Sequence, residues 1–322
     1  MLIVNPNPCF DRTTTVPSMT PGAILRALGV EVSAGGKGIN VARVIRSMGG
    51  AAPIYLLGRT GGLPEYLKLL DSEGAEFECL EIAGNIRTAS IYLESESDRI
   101  TIVNEPGEAI TAANWHSYVH EISLRCHPGQ IAVCMGSLPP GYPDGAIQEL
   151  VRAVHARGAL ILVDTAPDVL FAAAQAGADM LTPNLDEAEA ALSGKSGAHF
   201  TDDRRNSRAR AQEAADQLVA LGAKNVCVTA GSEGVAFADS KESWWADAYP
   251  INFVSAVGAG DSFAAGIVLS WAAQARSNEP MDWHRAVNLG IACGASSCEQ
   301  VLAGGVDPTR VKQIVSALRQ EA

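Results

Sequence analysis

Two kinds of hydrophobic pattern alternate along much of this chain. Short continuous apolar runs, such as Ile131–Met135, are typical of buried strands, whereas apolar residues spaced by three and four, as in 185–193, are typical of helices. Because buried strands that alternate with helices form parallel sheets covered on both faces, the pattern predicts an α/β fold. The predicted elements beyond residue 130 are 131–135, 146–156, 159–164, 169–176, 180–182, 185–193, 208–221 and 226–229.

Residues 13–32 and 88–103 break this alternation. Both segments show the period-two pattern of strands without a long helix between them. No linker composition marks a second domain, so we interpret the two segments as an insertion into a single domain spanning 1–322. Residues 195–208 are rich in glycine, serine and charged side chains and are predicted to form an exposed loop.

Residues 251–268 combine an apolar run with a glycine-rich turn and a helical pattern. The run 251–257 is predicted to be a buried strand, and a helix is predicted from Phe263 onward. Small residues between them let backbone N–H groups approach a ligand, and the helix directs its positive end to the same point. The segment therefore predicts an anion site, such as one for phosphate. Its turn consists of Gly258, Ala259, Gly260 and Asp261.

Asp261 has two possible roles in this turn. Beside a bound anion, its carboxylate is placed to take a proton from an attacking hydroxyl. Aspartate is also a favoured helix N-cap residue, so the motif alone leaves both roles open. At a helix N-terminus, the charged form of the carboxylate is expected to be favoured.

A second glycine-rich element lies near the N-terminus. Residues 33–43 run from a predicted strand at 30–32 into a helix. The apolar positions of that helix are Ile39, Ala42, Ile45 and Met48.

Composition excludes several classes of protein. The 322 residues carry a formal net charge of −12 with 47% hydrophobic residues, which argues for a globular core and against nucleic-acid or anionic-membrane partners. The chain opens with no signal peptide, and its longest weakly polar stretch is too short to span a membrane. The seven cysteines form no C-x-x-C pair and are expected to be reduced core residues, which predicts a cytoplasmic protein.

Taken together, the motifs resemble those of the PfkB/ribokinase-like family of small-molecule kinases, over about residues 1–310. The segment 7–13 resembles the family's N-P-x-x-D-R-T, and 104–107 resembles the N-E-P-G of its 1-phosphofructokinase and tagatose-6-phosphate kinase branch. Each motif alone is weak, but their number and order make the resemblance specific. The remaining matching segments are 33–43, 136–141, 164–165, 183–187, 229–234 and 258–261.

The resemblance implies a ribokinase-like three-layer α/β/α sandwich with a mostly parallel sheet. The segments 13–32 and 88–103 would then form a small β-sheet lid over the substrate. Because a small sheet cannot bury its apolar face alone, we expect a homodimer formed through this lid.

The resemblance also places an acceptor sugar between the N-terminal motif and the second glycine-rich element. Carboxylate oxygens there can accept hydrogen bonds from two sugar hydroxyls, glycines allow the backbone near the sugar, and an amide can donate and accept. Taken without the resemblance, the lysine of this set is a solvated loop residue and the aspartate a turn former. The residues implied are Asp11, Gly35, Gly36, Lys37 and Asn40.

Arg87 stands where the sugar-phosphate branch carries a phosphate-binding arginine. A guanidinium suits that task because it stays charged and binds phosphate with two hydrogen bonds. A surface arginine at the start of a strand would look the same in isolation. Arg26 is a second candidate for the same phosphate, and Ser137 either hydrogen-bonds a phosphate oxygen or caps a turn.

ATP and Mg²⁺ are the implied cosubstrate and cofactor. The carboxylate of Glu187 would act on magnesium through its waters, although Glu187 also suits the first turn of any exposed helix. The segment 229–234 resembles the family's nucleotide loop, and Ile291 would line an adenine wall or simply belong to the core. The nucleotide residues implied are Asn184, Thr229, Gly231, Gly234 and Ile291.

The chain departs from the family pattern at three positions. Thr182 replaces a lysine found in many members, so one basic contact to the nucleotide is missing, and Ala256 replaces a threonine. Ser255 stands where potassium-dependent ribokinases carry an aspartate, so potassium activation is not expected.

These observations predict transfer of the ATP γ-phosphoryl group to a hydroxyl of a phosphorylated ketohexose, namely fructose 1-phosphate, fructose 6-phosphate or tagatose 6-phosphate. Asp261 would be the base, while the N–H groups of Ala259 and Gly260, after Gly258, would stabilise the phosphoryl charge. Three alternatives are a kinase of an unphosphorylated sugar or nucleoside, a non-catalytic sugar-phosphate sensor, and a dinucleotide-binding dehydrogenase. The dehydrogenase is disfavoured because no G-x-G-x-x-G follows the first strand.

Overall fold

The computed structural model describes residues 1–97, 99–194, 206–277, 280–300 and 302–319. Within them the chain forms a nine-stranded sheet and a four-stranded sheet. The strands are β1 (Leu2–Asn5), β2 (Cys9–Val16), β3 (Gly29–Gly35), β4 (Ile54–Gly61), β5 (Phe77–Asn85), β6 (Arg87–Glu94), β7 (Ile100–Asn104), β8 (Ile131–Met135), β9 (Leu160–Asp164), β10 (Met180–Leu181), β11 (Asn225–Thr229), β12 (Gly234–Asp239) and β13 (Ser243–Asp247).

Helices connect most of the strands of the large sheet. They are α1 (Lys37–Ser47), α2 (Leu63–Ser72), α3 (Ala112–Arg125), α4 (Ala146–His155), α5 (Pro167–Gln175), α6 (Leu185–Ser193), α7 (Ser207–Leu221), α8 (Ala259–Ser277), α9 (Trp283–Cys298) and α10 (Pro308–Leu318). Among the helices described, none is both long and apolar enough for a membrane crossing.

The large sheet has the strand order β13-β12-β11-β10-β9-β8-β1-β4-β5. Its strands are parallel from β11 to β5, and β12 and β13 are added as antiparallel edge strands. Alternate residues of β1 face opposite sides, since Leu2 and Val4 join one hydrophobic cluster and Ile3 the other. Helices α3 to α7 pack on the first side and α1, α2, α8, α9 and α10 on the second. The predicted three-layer α/β/α fold is therefore confirmed.

The small sheet has the order β3-β2-β6-β7 and takes its strands from around the two segments that broke the alternation. Strands β2 and β6 are parallel, whereas β3 and β7 run antiparallel to their neighbours. The register pairs Cys9 with Arg87 and Asp11 with Ala89, so the side chains of these four residues share one face of the sheet.

Two local predictions need correction or lie outside the description. Residues 251–257 form no strand: Phe253 is 67% exposed, and the N–H groups of Val254 and Ser255 donate to the carbonyl of Cys298 instead of to a sheet. An apolar run becomes a strand only where a neighbouring edge accepts it, and α9 meets this segment instead. Of the predicted loop 195–208, residues 195–205 lie outside the described residues, and its end belongs to α7.

Candidate active site

The carboxyl ends of the central strands place several polar residues at one edge of the large sheet. Asn5 ends β1, Asp164 ends β9, and Thr229 ends β11, while Ser137 closely follows β8. Parallel strands bring their carboxyl ends to the same side, where open α/β sheets bind ligands. The topology therefore brings together motifs that are more than 200 residues apart in the sequence.

Asp261 lies in the first turn of α8 and is only 6% exposed. Gly258, just before the helix, has φ +79, and a Cβ there would lie 2.9 Å from the backbone nitrogen of Gly304, so the turn requires glycine. Oδ2 of Asp261 accepts a hydrogen bond of 2.8 Å from Nδ2 of Asn40 in α1. The two glycine-rich elements therefore meet at this carboxylate.

The expectation that the helix N-terminus keeps Asp261 charged was wrong. Burial raises the pKa of the Asp261 carboxyl to about 7, and the nearby carboxylates of Asp164 and Glu187 add to this rise. The Lys37 ammonium and the hydrogen bond from Asn40 lower the pKa but do not offset the loss of solvent. A carboxyl with a pKa near 7 is a better general base than an ordinary aspartate.

The two N–H groups proposed to stabilise the phosphoryl charge differ in their hydrogen bonding. The N–H of Ala259 donates to the carbonyl of Ala256 at 3.2 Å, closing the turn before α8. The N–H of Gly260 belongs to the first helical turn, where N–H groups have no partner within the helix. Gly260 is thus the better placed donor, and Ala259 would have to share its hydrogen with the turn.

Lys37, the first residue of α1, lies between carboxylates rather than in solvent. Its Nζ is 2.7 Å from Oδ1 of Asp164 and 3.5 Å from Oε1 of Glu187, and its side chain is 37% exposed. Burial alone would lower the pKa of Lys37, but Asp164, Glu187 and Asp261 outweigh it and the net shift is upward. The ammonium group is therefore charged and lies beside the carboxylates of Asp164 and Glu187.

Sequence reasoning missed Asp164 as a site residue, although it recognised the motif that contains it. The Asp164 side chain is 4% exposed, and its second oxygen accepts a long hydrogen bond of 3.4 Å from the Thr182 hydroxyl. The adjacent Thr165 hydroxyl is buried without a hydrogen-bond partner in the described part of the chain. Asp164 directly follows a buried strand at the ligand-binding edge, and that position is the signal that could have identified it.

Asp11 lies on β2 and packs against Gly35, the last residue of β3. A Cβ on Gly35 would clash with the Asp11 carboxylate, so this close approach requires glycine. The Cys9 thiol donates to Oδ1 of Asp11 at 3.3 Å. Burial raises the pKa of Asp11, while the Cys9 hydrogen bond and the charges of Arg43 and Arg87 lower it. Gly36 follows as the N-cap of α1.

Arg87 and Ser137 both contact Asn7. The guanidinium of Arg87 donates through Nη2 to the Asn7 carbonyl at 3.1 Å and through Nη1 to the Glu105 carbonyl at 3.1 Å. The Asn7 side chain donates from Nδ2 to the Ser137 hydroxyl at 3.1 Å. The structure therefore brings these two predicted phosphate ligands to one place. Arg26 instead lies in the exposed segment 20–28 between β2 and β3, and its contact with a phosphate stays a prediction.

Asn184 and Glu187 form a reciprocal cap at the start of α6. The Glu187 N–H donates to Oδ1 of Asn184 at 2.8 Å, and the Asn184 N–H donates to Oε2 of Glu187 at 3.0 Å. Burial raises the pKa of Glu187, and Lys37 lowers it. Glu187 thus lies in the first turn of α6, where one carboxylate oxygen completes the cap, while the other faces Lys37.

The remaining nucleotide residues surround the end of β11. Thr229 pairs with Asn184 across an isolated bridge, which joins the two predicted nucleotide segments. Gly231 lies in the turn after β11, and Gly234 begins β12. Ile291 is 8% exposed within the hydrophobic cluster around α8 and α9, so its part in an adenine wall stays a prediction. Ser255, 5% exposed, accepts a hydrogen bond from the Val257 N–H at 3.2 Å.

The arrangement combines a buried carboxyl of raised pKa, an ammonium group and a helix N-terminus at one edge of the large sheet. Arginine and serine side chains lie on the side of the small sheet. Such a constellation can deprotonate a hydroxyl and hold anionic groups on both sides of it.

Comparisons with known proteins found sequence relatives and solved structures of similar fold. A 1-phosphofructokinase of Xanthomonas campestris pv. campestris is 29% identical over 322 residues, covering 98% of this chain and 96% of the relative. The crystal structure of phosphofructokinase-2 from Escherichia coli in complex with fructose-6-phosphate has a TM-score of 0.85 at 25% identity and covers 99% of both chains. The tetrameric inhibited form of that enzyme has a TM-score of 0.85 at 26% identity, over 99% of this chain and 98% of the other.

A sequence model of the pfkB family carbohydrate kinases matches residues 6–310, which is nearly the whole chain. The match includes all of the site residues described above. The chain therefore belongs to the pfkB family of carbohydrate kinases.

Proposed function

We propose that this protein is an ATP-dependent kinase that transfers the γ-phosphoryl group to a hydroxyl of a phosphorylated ketohexose. The observation that carries the proposal is the buried Asp261 carboxyl in the first turn of α8, held by Asn40 beside the Lys37 ammonium. The relatives named as phosphofructokinases support the same acceptor class. A kinase of an unphosphorylated acceptor is not favoured, because Arg87 and Ser137 meet where the acceptor's phosphate would lie.

In the proposed reaction, Asp261 takes the proton of the acceptor hydroxyl while the hydroxyl oxygen forms a bond to the γ-phosphorus of ATP. The bond between that phosphorus and the bridging oxygen of ATP breaks, and ADP leaves. Lys37 and the Gly260 N–H offset the negative charge on the phosphoryl oxygens during transfer. Asp11 holds the sugar hydroxyls, and Arg87 holds the sugar phosphate.

Mg²⁺ fits the oxygen ligands near Lys37. Glu187 and Asp164 present carboxylate oxygens there, and the hydroxyl of Thr165, the residue after Asp164, is buried without a protein partner in the described chain. No cluster of three or more His, Cys, Asp and Glu side chains suited to a metal occurs among the described residues. Magnesium usually keeps several waters, and Glu187 would hold those waters. The bound ion would neutralise charge on the nucleotide phosphates.

The cytoplasmic location expected from the sequence remains a prediction.

The acceptor class is tested by measuring ADP release with ATP and each of five acceptors. These are fructose 1-phosphate, fructose 6-phosphate, tagatose 6-phosphate, ribose and adenosine. We expect at least one of the ketohexose phosphates to give the highest kcat/KM. A higher value for ribose or adenosine would replace the proposal with the ribokinase-type alternative, and no ADP release with any acceptor would favour the sensor.

The pKa of Asp261 predicts how the rate depends on pH. With a pKa of about 7, the carboxyl is mostly protonated below that pH and cannot accept the hydroxyl proton. We therefore expect kcat/KM for the acceptor to rise about tenfold per pH unit well below pH 7 and to level off above it. The measurement is kcat/KM at saturating ATP from pH 5.5 to 9, and a flat profile over that range would contradict the assignment of the base.

The small sheet also supports a homodimer. Val32 pairs with Arg12 and Val103 with Ser90, which places both valines on the face opposite to Asp11, where they are 42% and 56% exposed. A second copy of this sheet would cover that face and leave the Asp11 face for the substrate, as expected for a lid.

We expect light scattering after size-exclusion chromatography to show a dimer at micromolar concentration. Val103→Glu should shift the protein toward the monomer because it buries a charge in the interface. Leu124→Glu is the control, since Leu124 on α3 is 49% exposed and belongs to another surface. A monomeric wild-type protein would rule out the dimer, and a tetramer would show that the small sheet is not the sole interface.

A further inference from the structure

Arg43 on α1 is a buried arginine that lies behind the proposed active site. Its side chain is 7% exposed, and its Nε and Nη2 donate to the two carboxylate oxygens of Glu73 at 2.7 and 2.6 Å. Glu73 caps the end of α2 and is itself 25% exposed in its side chain. A two-point ion pair of this kind holds the guanidinium plane in one orientation.

The remaining nitrogen of Arg43 continues this network to the catalytic centre. Nη1 donates to Oδ1 of Asn40 at 2.9 Å, and Nδ2 of Asn40 donates to Oδ2 of Asp261 at 2.8 Å. Asn40 and Asp261 are 7% and 6% exposed, so water does not substitute freely for these partners. A continuous chain of charge-assisted hydrogen bonds thus joins Glu73, Arg43, Asn40 and Asp261.

The chemistry of Arg43 determines which way the Asn40 amide points. The oxygen and nitrogen ends of an amide have nearly the same shape, so packing alone does not select between its two orientations. A guanidinium has only donors, and therefore it accepts only the oxygen end as its neighbour. The NH₂ end must then face Asp261.

We propose that Arg43, held by Glu73, is a positioning residue for phosphoryl transfer that acts on Asp261 through Asn40. The inference rests on the proposed function, in which Asp261 is the base. It goes beyond that function by assigning a role to two residues, Arg43 and Glu73, that do not touch the substrate.

The need for such a residue arises when Asp261 takes up the proton. A protonated carboxyl can donate, and an unrestrained amide could then turn its oxygen toward Asp261 and stabilise the protonated form. Arg43 prevents this rotation, so the Asn40 NH₂ group stabilises the carboxylate throughout the reaction. Because that bond uses Oδ2, and Oδ1 of Asp261 has no hydrogen bond in the described part of the chain, Oδ1 is the oxygen that accepts the proton.

Arg43 also contacts the sugar side of the site. Its Nη2 donates to the carbonyl of Ala34 at 2.6 Å, directly before Gly35, which packs against Asp11. The Arg43 guanidinium therefore positions both Asp261 and the backbone next to Gly35, which would lie beside the sugar. Loss of Arg43 is expected to affect kcat and the KM for the sugar phosphate, but not the KM for ATP.

The variants R43K and R43M test this inference, with R46M as the matched control. Arg46 lies one turn further along α1 and also approaches Glu73, with Nη2 3.6 Å from Oε2, but its contacts do not include Asn40. We expect R43K and R43M to lower kcat by about ten- to a hundredfold with the KM for ATP unchanged, and R46M to change kcat less than about twofold.

A double-mutant cycle with Asn40→Leu separates this role from general stabilisation. If Arg43 acts through Asn40, R43K should change kcat less than about twofold once Asn40 is replaced, because the path to Asp261 is already broken. If the fold-changes in kcat caused by R43K and by Asn40→Leu multiplied in the double variant, the proposal would be overturned. An R46M variant as slow as R43K would also overturn it, since the Glu73 network would then act only on folding.

Neutron crystal structures of the ligand-free variants decide the geometry without reference to turnover, because they locate the amide hydrogens. In R43M we expect the Asn40 NH₂ group no longer to donate to Asp261, and an NH₂ group that still donates to Oδ2 would refute the positioning role. Should R43M fail to fold, R43K and Glu73→Gln carry the same comparison. A wild-type protein inactive on every acceptor would overturn the kinase proposal, whereas these structures would still decide whether Arg43 orients Asn40.

Discussion

Replacing Asp261 with asparagine is expected to lower kcat by about two to four orders of magnitude while the fold and ATP binding are retained. The amide has the size and shape of the carboxyl but cannot take a proton. Its oxygen can still accept the hydrogen bond from Asn40 that Oδ2 accepts in the native protein. The loss would therefore fall on the chemical step, and we would measure it as kcat beside the Kd of ATP from calorimetry.

The stability of this variant provides an internal check. The folded-state pKa of about 7 exceeds the ordinary value of 3.8, so the folded state loses stability as the pH rises from 3.8 to about 7, and this loss persists at higher pH. A neutral asparagine removes that cost, and the Tm of D261N at pH 8 should equal or exceed that of the wild type. A lower Tm with the same loss of activity would indicate unfolding rather than loss of the base.

Asp168→Asn is a matched control for the helix-cap interpretation of Asp261. Asp168 lies in the first turn of α5 and accepts a hydrogen bond of 2.9 Å from the Tyr142 hydroxyl. If first-turn carboxylates matter only for helix stability, the two substitutions should have similar small effects. Near-normal kcat in D261N would show that Asp261 is not the base.

Removing the Arg87 guanidinium is expected to raise the KM for the sugar phosphate at least tenfold and to leave the KM for ATP nearly unchanged. Hydrogen bonds to a charged group contribute about 1.5–3 kcal/mol, and tenfold in affinity corresponds to about 1.4 kcal/mol. Arg87 lies beside Asn7 and Ser137 on the Asp11 face of the small sheet, away from the nucleotide residues at β11. The measurement is KM for each substrate in Arg87→Ala at saturating concentration of the other.

Arg99→Ala provides the comparison for a general effect of charge. Arg99 lies just before β7 and pairs with Glu94 at 2.7 Å, and its side chain is 63% exposed. Its loss removes the same charge from the small sheet without touching the proposed phosphate position. If Arg87→Ala weakened ATP instead, or if both variants had equal effects, the phosphate role of Arg87 would be refuted.

Much of the fold was predictable because its signals are local. The strands Ile131–Met135 and Leu160–Asp164 are short apolar runs, and helix Leu185–Ser193 has regular apolar spacing, so each element could be located from a few neighbouring residues. The run 251–257 is also mostly apolar, yet it meets the end of α9 and forms no strand. Whether an apolar run pairs depends on a neighbouring sheet edge, which the run itself does not encode.

For the candidate site, the sequence by itself determined which residue types stand in the glycine-rich turns, and therefore predicted Asp261, Lys37 and Asn40. Only the tertiary structure decided how these groups act on one another. The pairing of Lys37 with Asp164, the pKa of Asp261 near 7 and the orientation of Asn40 by Arg43 all join residues distant in sequence. Hydrogen bonds and charge interactions depend on distance and burial in space, and these are set only when the sheet brings its strand ends together.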